Sequence, residues 1–253
     1  MSALRVLTTL FVLAAALALP SVSASAQLTA GAADLRPTDR VLGAQDADLL
    51  VIEYASFACP HCAHFQTEVW PMIRSEFVDT GRVRYSVRPM LTSPPQIAGA
   101  GVILSECVPD DRYFDAIDLL FHEQASIFQT ARDGGDVLGV YNRIAAATGG
   151  SAESLLACFQ DPAANEQVNA LAMQAAEDGI NSTPSFIIAG DLLSIGHPGD
   201  GEAEHDHAAA GPTVFLHGGE PLLINGETVP GRFDQDSFRR IILHFLDVSS
   251  SAD

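Results

Sequence analysis

Residues 49–62 have the sequence LLVIEYASFACPHC, an apolar run that ends in two cysteines. The run from Leu49 to Ser56 is rich in apolar and β-branched side chains and predicts a buried strand that carries one acid, Glu53. Pro60 suits the first turn of a helix, where its missing N–H removes no hydrogen bond. The stretch therefore predicts a strand, a short loop and a helix, with Cys59 at the helix start and Cys62 one turn inside.

Two cysteines in this setting have the properties of a redox pair. Unpaired N–H groups and the helix dipole stabilise a thiolate at Cys59. Cys62 can close a disulfide with Cys59 and pass it on by thiolate exchange. Between the two, Pro60 stiffens the turn, and His61 can place a positive charge beside the Cys59 sulfur. The motif therefore predicts thiol–disulfide exchange, with no metal and no cofactor.

Other uses of the same spacing remain open at this point. Cys59 and Cys62 could bind zinc with His64 as a third ligand, although a closed zinc site requires a fourth. They could also form a purely structural disulfide. The strand–loop–helix context favours redox chemistry over both alternatives.

Three segments together resemble the DsbA-type periplasmic thiol oxidases. Residues 53–62 (EYASFACPHC) resemble the active-site segment of that family, and residues 181–186 (NSTPSF) resemble its cis-proline loop. The resemblance continues through residues 229–231 (VPG) into a C-terminal helix. It covers residues 39–247 apart from 190–220, and the Cys-Pro-His-Cys motif is specific in combination with the downstream Thr-Pro.

The resemblance implies an α/β protein with a thioredoxin-like fold and an inserted helical subdomain. It implies that Cys59 is the exposed sulfur that is attacked and that Cys62 is the buried resolving cysteine. It makes Glu53 a buried acid behind the disulfide that helps to move the proton of Cys62, although an acid in this strand could also be a core group satisfied by a neighbour. Thr183 and Pro184 would face the disulfide, where the Thr183 backbone could pair with an extended substrate.

The hydrophobic periodicity changes along the rest of the chain. The helix after Cys62 is expected to kink at Pro71, and Val83–Val87 alternates as a second strand does. Long alanine- and leucine-rich stretches between Pro94 and Asp178 predict four or five helices, inserted between strands.

Strand character returns in the last third of the chain. It appears at Pro184–Ile188 and at Pro221–Ile224, where the turn signal Asn225-Gly226 follows. Phe233–Leu246 predicts a final amphipathic helix. The predicted boundaries are a signal peptide at 1–26, a flexible leader at 27–39, a thioredoxin-like domain in two parts at 40–93 and 179–247, the inserted helical subdomain at 94–178, a histidine- and acid-rich excursion at 190–220 and a tail at 248–253.

The first 26 residues have the form of a secretory signal peptide. Arg5 precedes an apolar run from Val6 to Leu19, and Ala24-Ser25-Ala26 forms a small-residue cleavage site before Gln27. The run is short for a bilayer-spanning anchor. We therefore expect export, cleavage and a periplasmic location.

The composition limits the classes of partner. The formal net charge is −19, and all 13 basic residues are arginine. A strongly acidic chain is repelled by nucleic acid and by anionic membranes, which argues against both as partners.

The remaining cysteines, Cys107 and Cys158, lie on two predicted helices. We expect them to form a structural disulfide, which is worth ~4 kcal/mol on the chain-entropy model. Two buried free thiols or a second redox pair are the alternatives.

Four of the eight histidines lie between residues 197 and 217. His205-Asp206-His207 with nearby acids could hold a divalent metal, but a solvated loop is the simpler expectation.

These patterns predict an exported thiol–disulfide oxidoreductase that donates the Cys59–Cys62 disulfide to folding proteins. The expected partners are reduced exported proteins and, from the resemblance alone, a membrane quinone-linked protein that reoxidises the enzyme. The leader at 27–39 is too short to be an evident dimerisation module, so we expect a monomer. The alternatives are a disulfide isomerase or reductase and, from a different class, a metal-binding or chaperone-like periplasmic protein that uses the histidine-rich segment.

Overall fold

A mixed β-sheet organises the molecule. The computed structural model describes residues 31–197 and 212–250 of the 253. Within these residues, seven strands form one sheet in the order β1-β3-β2-β4-β5-β6-β7, and β2 and β3 are its parallel pair. Its strands are β1 (Val41–Leu42), β2 (Leu49–Ala55), β3 (Val83–Pro89), β4 (Ser185–Ile188), β5 (Asp191–Gly196), β6 (Val214–His217) and β7 (Glu220–Pro221).

The alternation of side chains along β2 divides the core into two parts. Val51, Glu53 and Ala55 lie on one face, which we call the active-site face, and the larger hydrophobic cluster packs there. Ile52 and Tyr54 lie on the opposite face, over a smaller cluster. Helices cover both faces, as the predicted α/β class requires.

One long helical run follows β2 on the active-site face. It consists of α1 (Pro60–His64), a π-helical segment (Phe65–Val69), α2 (Trp70–Ile73) and a second π-helical segment (Arg74–Val78). Pro71 cannot donate to the carbonyl four residues earlier. The irregularity expected at this proline takes the form of a wide turn immediately before it.

Six α-helices lie between β3 and β4, whereas the sequence predicted four or five. The prediction was wrong because two breaks are very short: a single residue separates α4 from α5, and Asp161 both ends α7 and caps α8. The helices are α3 (Pro95–Glu106), α4 (Tyr113–His122), α5 (Gln124–Arg132), α6 (Val137–Ala147), α7 (Ala152–Gln160) and α8 (Pro162–Glu177), with a 3-10 turn at Asp110–Arg112.

Helix α8, the last of these helices, packs against both hydrophobic clusters. Val168 in α8 packs in the larger cluster, whereas Ala175 packs with Ile52 and Ile187 on the opposite face of the sheet. The helix therefore leads the chain from the inserted helices back to the sheet before β4.

The described part of the predicted leader is packed rather than flexible. Ala32 is fully buried, and the Arg88 guanidinium donates to the carbonyl oxygens of Ala32 and Asp34, each at 2.5 Å. Arg88 also forms an ion pair with Asp39 at 2.7 Å. The expectation of a flexible segment is therefore wrong for residues 31–39, because a buried arginine on β3 binds their backbone.

Residues 190–220 were predicted to form an exposed excursion, and this prediction is wrong for both ends of the segment. Residues 191–196 and 214–217 are strands of the central sheet, and Leu193 and Phe215 are fully buried. His217 is not in a solvated loop, since its Nε2 atom lies 2.9 Å from the carbonyl oxygen of Ile188. His205, Asp206 and His207, the alternative metal-binding residues, lie outside the described residues, as does the predicted signal peptide.

The chain ends in a hairpin and a helix. Asn225 and Gly226, both with positive φ, connect β8 (Leu223–Ile224) to β9 (Glu227–Thr228), which is the tight turn that this residue pair favours. Helix α9 (Gln235–Ser250) then buries Phe238, Ile241 and Ile242 against the sheet. Among the described residues, no helix has both the length and the apolar character needed to cross a membrane.

Candidate active site

Cys59 lies where strand β2 turns into helix α1. The chain leaves β2 at Ala55, and the N–H of Cys59 donates to the Ser56 carbonyl at 2.9 Å. Cys59 is the N-cap of α1, with Pro60 as the first helical residue. The first N–H groups of a helix have no intrahelical acceptors and give this end of α1 a partial positive charge, although the Cys59 side chain accepts no capping hydrogen bond.

The surroundings of Cys59 favour its thiolate. The largest influence is a hydrogen bond from the Cys62 thiol, which lowers the pKa of Cys59 against the opposing effect of burial. Thr183 and the backbone N–H groups of Cys62 and His61 also lower it, and the net pKa of Cys59 is about 5. Cys59 is 9 % exposed as a residue, so it is largely shielded from solvent.

The pKa of Cys62 is shifted in the opposite direction to that of Cys59. Its side chain is fully buried, and burial raises the pKa of this thiol well above its usual value. The N–H of Ser56 lies 3.5 Å from its sulfur. Both cysteines are free thiols in the structure. The pair is therefore asymmetric: the Cys59 thiol has a lowered pKa and a small exposed fraction, whereas the Cys62 thiol has a raised pKa and is fully buried.

Glu53 lies under this pair on the active-site face and is fully buried. Gln66 Nε2 donates to its Oε2 atom at 2.6 Å, and the Tyr85 hydroxyl donates to the same oxygen. Burial raises the pKa of Glu53 to about 8, while these two hydrogen bonds act in the opposite direction. A carboxyl group with this pKa can either release or accept a proton near neutral pH.

A second loop reaches Cys59 from across the sheet. The Thr183–Pro184 peptide bond is cis, and the Thr183 carbonyl oxygen lies 3.4 Å from the Cys59 sulfur. Pro184 is buried and Thr183 is half-buried. The fold thus brings Cys59, Cys62, Glu53, Thr183 and Pro184 to one place.

His61 and Pro60 are both exposed. The pKa of Cys59 responds to the backbone N–H of His61, and among the described residues the imidazole forms no hydrogen bond or ion pair. The structure therefore does not support the expected contact between the His61 ring and the sulfur. His64, the candidate zinc ligand, has its Nε2 atom 3.1 Å from the carbonyl oxygen of Phe233.

Cys107 and Cys158 form a disulfide with a Cα–Cα distance of 6.3 Å. The bond connects the C-terminal end of α3 to α7, within the inserted helices.

The sequence analysis missed a contact between the helical subdomain and the cysteine loop. Gln124, a buried residue at the start of α5, donates from Nε2 to the carbonyl oxygens of Phe57 at 2.8 Å and Cys59 at 3.0 Å. This amide holds the loop that carries Cys59. No local pattern identifies it, because the partners are more than 60 residues apart.

The sequence analysis also missed Gln66 and Tyr85, the two donors to Glu53. A signal for Gln66 does exist: it lies four residues after Cys62 and three before Val69, on the same helix face as these buried residues, where a polar side chain is unexpected. Tyr85 carries a weaker signal, as a hydroxyl on the inward side of an alternating strand.

The family described as Thioredoxin matches residues 35–198. A putative protein-disulfide oxidoreductase of Rickettsia bellii is 32% identical over 85 residues, which are 34% of this chain and 30% of that protein. Disulfide bond formation protein D of Bacillus subtilis is 39% identical over 46 residues, 18% of this chain and 21% of that protein. The matched segments thus span about a third or less of these relatives.

Solved structures with the same fold cover most of the chain. The crystal structure of Wolbachia pipientis alpha-DsbA1 superposes with a TM-score of 0.61 at 22% identity, covering 86% of this chain and 96% of that one. Oxidised BdbD from Bacillus subtilis gives a TM-score of 0.56 at 19% identity, covering 83% and 93%. The predicted thioredoxin-like fold with a helical insertion is therefore confirmed.

Proposed function

The chain belongs to the thioredoxin family, and on that premise we propose that it is an exported thiol–disulfide oxidoreductase that donates the Cys59–Cys62 disulfide to other proteins. The observation that carries the proposal is the asymmetry of the pair. Cys59 keeps a small exposed fraction and has a lowered pKa, whereas Cys62 is fully buried and has a raised pKa. The relatives named for disulfide chemistry support the same reaction class.

The reaction proceeds by two thiolate attacks. A substrate thiolate attacks the Cys59 sulfur, the Cys59–Cys62 bond breaks, and Cys62 leaves and takes up a proton. A second substrate thiolate then attacks the substrate sulfur of this mixed disulfide, and Cys59 leaves as a thiolate. Two electrons pass from the substrate thiols to the enzyme, and the substrate gains one disulfide.

The neighbouring residues have defined roles in this scheme. Glu53 supplies the proton that the buried Cys62 sulfur requires when it leaves, and it accepts that proton in the reverse step. The Thr183 backbone, beside cis-Pro184, pairs with an extended substrate segment next to Cys59. Pro60 and the His61 backbone hold the turn in which the thiolate forms.

The low pKa of Cys59 favours oxidation of substrates over their reduction. Stabilising the thiolate stabilises the reduced enzyme, which makes the disulfide a stronger oxidant. Each pKa unit corresponds to about 1.4 kcal/mol. We therefore propose that the protein acts on reduced exported proteins and that a membrane quinone-linked protein reoxidises it. A disulfide isomerase or reductase is the alternative within the same chemistry.

Two measurements test the proposal. The redox equilibrium of the purified protein with glutathione should give an oxidising potential, and thiolate absorbance should place the pKa of Cys59 far below about 8.5, the free-thiol value. Cys62→Ser should trap mixed disulfides with disulfide-containing protein substrates, because the Cys59 thiolate attacks the substrate disulfide and no resolving thiol remains, whereas the matched variant Cys59→Ser should trap none. An ordinary Cys59 pKa together with a thioredoxin-like potential would select a reductase instead.

The proposed compartment has its own test. Cleavage after Ala26 would give a mature protein that begins at Gln27. Mass spectrometry of the N-terminus after expression in a bacterium with a periplasm should find that residue, and an intact Met1 in the cytoplasmic fraction would contradict export.

A further inference from the structure

Glu53 is a buried acid whose hydrogen-bond partners among the described residues are all neutral. Its Oε2 atom accepts hydrogen bonds from Gln66 and from the Tyr85 hydroxyl. Its Oε1 atom is buried and has no hydrogen-bond partner among the described residues. None of the ion pairs within those residues involves Glu53, and the whole chain contains no lysine. Oε1 is therefore the oxygen that is free to exchange a proton.

Few other charges surround this carboxyl group. Helix α1 contributes Cys59 and Cys62, and strand β3 contributes Tyr85. Asp118 on α4 acts on Tyr85 from further away, and its charge is paired with Arg74 at 3.1 Å. The paired strand β4 places Phe186 opposite Glu53 and adds no titratable group there.

We propose that Tyr85 and Gln66 are positioning residues that adjust the proton affinity of Glu53, so that its carboxyl group both donates and accepts the proton of Cys62. This inference rests on the proposed disulfide exchange. Tyr85 and Gln66 thus control the proton that Glu53 exchanges, although neither side chain performs the disulfide exchange or touches the substrate.

The choice of neutral donors has a physical reason. A nearby cation would lower the pKa of a buried carboxyl group strongly and hold it as a permanent carboxylate. Burial without any donor would hold it as a permanent acid. Two neutral donors on one oxygen offset part of the effect of burial, and the pKa of Glu53 stays at about 8, close to the working range.

Regeneration of the Cys59–Cys62 disulfide is the half-reaction that depends most on the pKa of Glu53. With oxidised glutathione as the oxidant, the Cys59 thiolate attacks one sulfur, and one glutathione leaves as a thiolate. Cys62 then passes its proton to Glu53, its thiolate attacks the Cys59 sulfur, and the second glutathione leaves. The dithiol loses two electrons, and one oxidised glutathione becomes two reduced molecules. Only the second step requires Glu53 to be a carboxylate.

Tyr85→Phe tests the inference, because it removes one hydroxyl and keeps the ring that stacks on Trp70. A hydrogen bond to a charged group is worth about one pKa unit or more. The mixed disulfide of Cys59 with glutathione, followed by acid quench and mass spectrometry, should therefore persist at least about tenfold longer at pH 7. The pH midpoint of its decay should rise by about one unit, while the first attack by Cys59 keeps its wild-type rate.

Two further variants separate positioning from general damage. Gln66→Met should shift the midpoint in the same direction and by less, since the Tyr85 hydrogen bond has the larger effect on Glu53. Tyr54→Phe removes a buried hydroxyl from the adjacent residue on the opposite face, where Tyr54 bonds Asp178 and Arg88. It should leave the midpoint unchanged.

The Glu53→Gln background decides whether Tyr85 acts through Glu53. In that background, Tyr85→Phe should produce no further slowing of the second step. An unchanged midpoint in Tyr85→Phe, or equal slowing with and without Glu53, would overturn this inference alone. A wild-type protein that forms no mixed disulfide with glutathione would overturn the proposed function and this inference together.

Discussion

Glu53 and Tyr54 are adjacent in β2, yet they lie in opposite electrostatic surroundings. On the face of Tyr54, two arginines and two aspartates form a paired network: Arg36 bonds Asp178, Arg88 bonds Asp39, and the Tyr54 hydroxyl connects Asp178 to Arg88. We call these five residues the Arg88 cluster. On the active-site face, Glu53 has only neutral hydrogen-bond donors among the described residues.

The two faces of β2 therefore have different roles: one holds paired charges that stabilise the fold, and the other holds an acid that can exchange a proton. Charges that are paired within the Arg88 cluster are held in one protonation state, and they bind residues 31–39 and the end of α8 to the sheet. An acid without a cation remains able to exchange a proton, at the cost of stability whenever it ionises. We therefore expect substitutions on the two faces to have effects of opposite sign.

The largest expected effect is that of Glu53→Gln on the pH dependence of stability. The folded state holds the Glu53 proton up to pH about 8, whereas the unfolded chain releases it near pH 4.5. Protonated Glu53 therefore contributes to the free energy of unfolding of the wild-type protein. This contribution is fully present below pH 4.5 and is lost as the pH rises through 8. It amounts to about 5 kcal/mol, at about 1.4 kcal/mol per pKa unit. Urea unfolding of the reduced protein at pH 4.5 and pH 9 should show the variant gaining stability over wild type at the higher pH.

Asp178→Asn is the control for this measurement. Asp178 is an acid of the Arg88 cluster, paired with Arg36 at 2.6 Å, so its neutralisation should lower the free energy of unfolding at pH 7. If both variants lost stability at pH 9, the contrast between the two faces would be wrong.

The next effect concerns the cation at the centre of the Arg88 cluster. Arg88→Met should lower the free energy of unfolding by about 3–5 kcal/mol, because it leaves the buried Asp39 carboxylate without its cation and two backbone carbonyls without a donor. Chemical denaturation measures the loss. Thiolate absorbance of Cys59 should be unchanged, since the cluster lies on the other face.

Arg84→Met is the matched control, because Arg84 lies on the same strand and forms no ion pair among the described residues. Its stability should stay close to wild type. A loss as large as that of Arg88→Met would show that burial of the side-chain stem, and not the ion pairs, holds this face together.

The Cys107–Cys158 disulfide should contribute to stability independently of both faces of β2. Removing the disulfide with the double substitution Cys107→Ala and Cys158→Ala should lower the free energy of unfolding by about 2–4 kcal/mol. The exchange rate of Cys59 with glutathione should not change, because the bond connects α3 to α7. If both thiols of the native, oxidised protein reacted with an alkylating reagent, the bridge would be absent.

The smallest expected effect is that of His61→Ser. The imidazole is exposed, and the contribution of this residue to the Cys59 thiolate comes from its backbone N–H, which serine retains. The reduction potential should therefore change by less than about 30 mV, the equivalent of about 1.4 kcal/mol. His64→Ser gives the baseline for losing an exposed ring on the same helix, and a larger change at His61 alone would restore the electrostatic role that the sequence predicted.

Short-range features of the sequence were enough to predict the chemistry. The spacing of Cys59 and Cys62, the proline between them and the strand before them all act within one turn of helix, so they can be interpreted without tertiary structure. The resemblance of these residues and of the downstream Thr183-Pro184 segment to a known family then implied the thioredoxin-like fold. The turn at Asn225-Gly226 was predicted correctly for the same reason, since it depends on two adjacent residues.

The tertiary structure alone decided which groups surround Glu53 and Tyr54. Tyr85 is on another strand, Gln66 is on a helix, and Arg88 binds a segment about 50 residues earlier in the chain. The short strands β5 and β6 also escaped prediction, because pairing with distant residues, and not local composition, makes them strands. Hydrogen bonds and ion pairs between remote segments depend on the packing of the whole chain, and that packing determines whether a buried acid is paired with a cation or left with neutral donors.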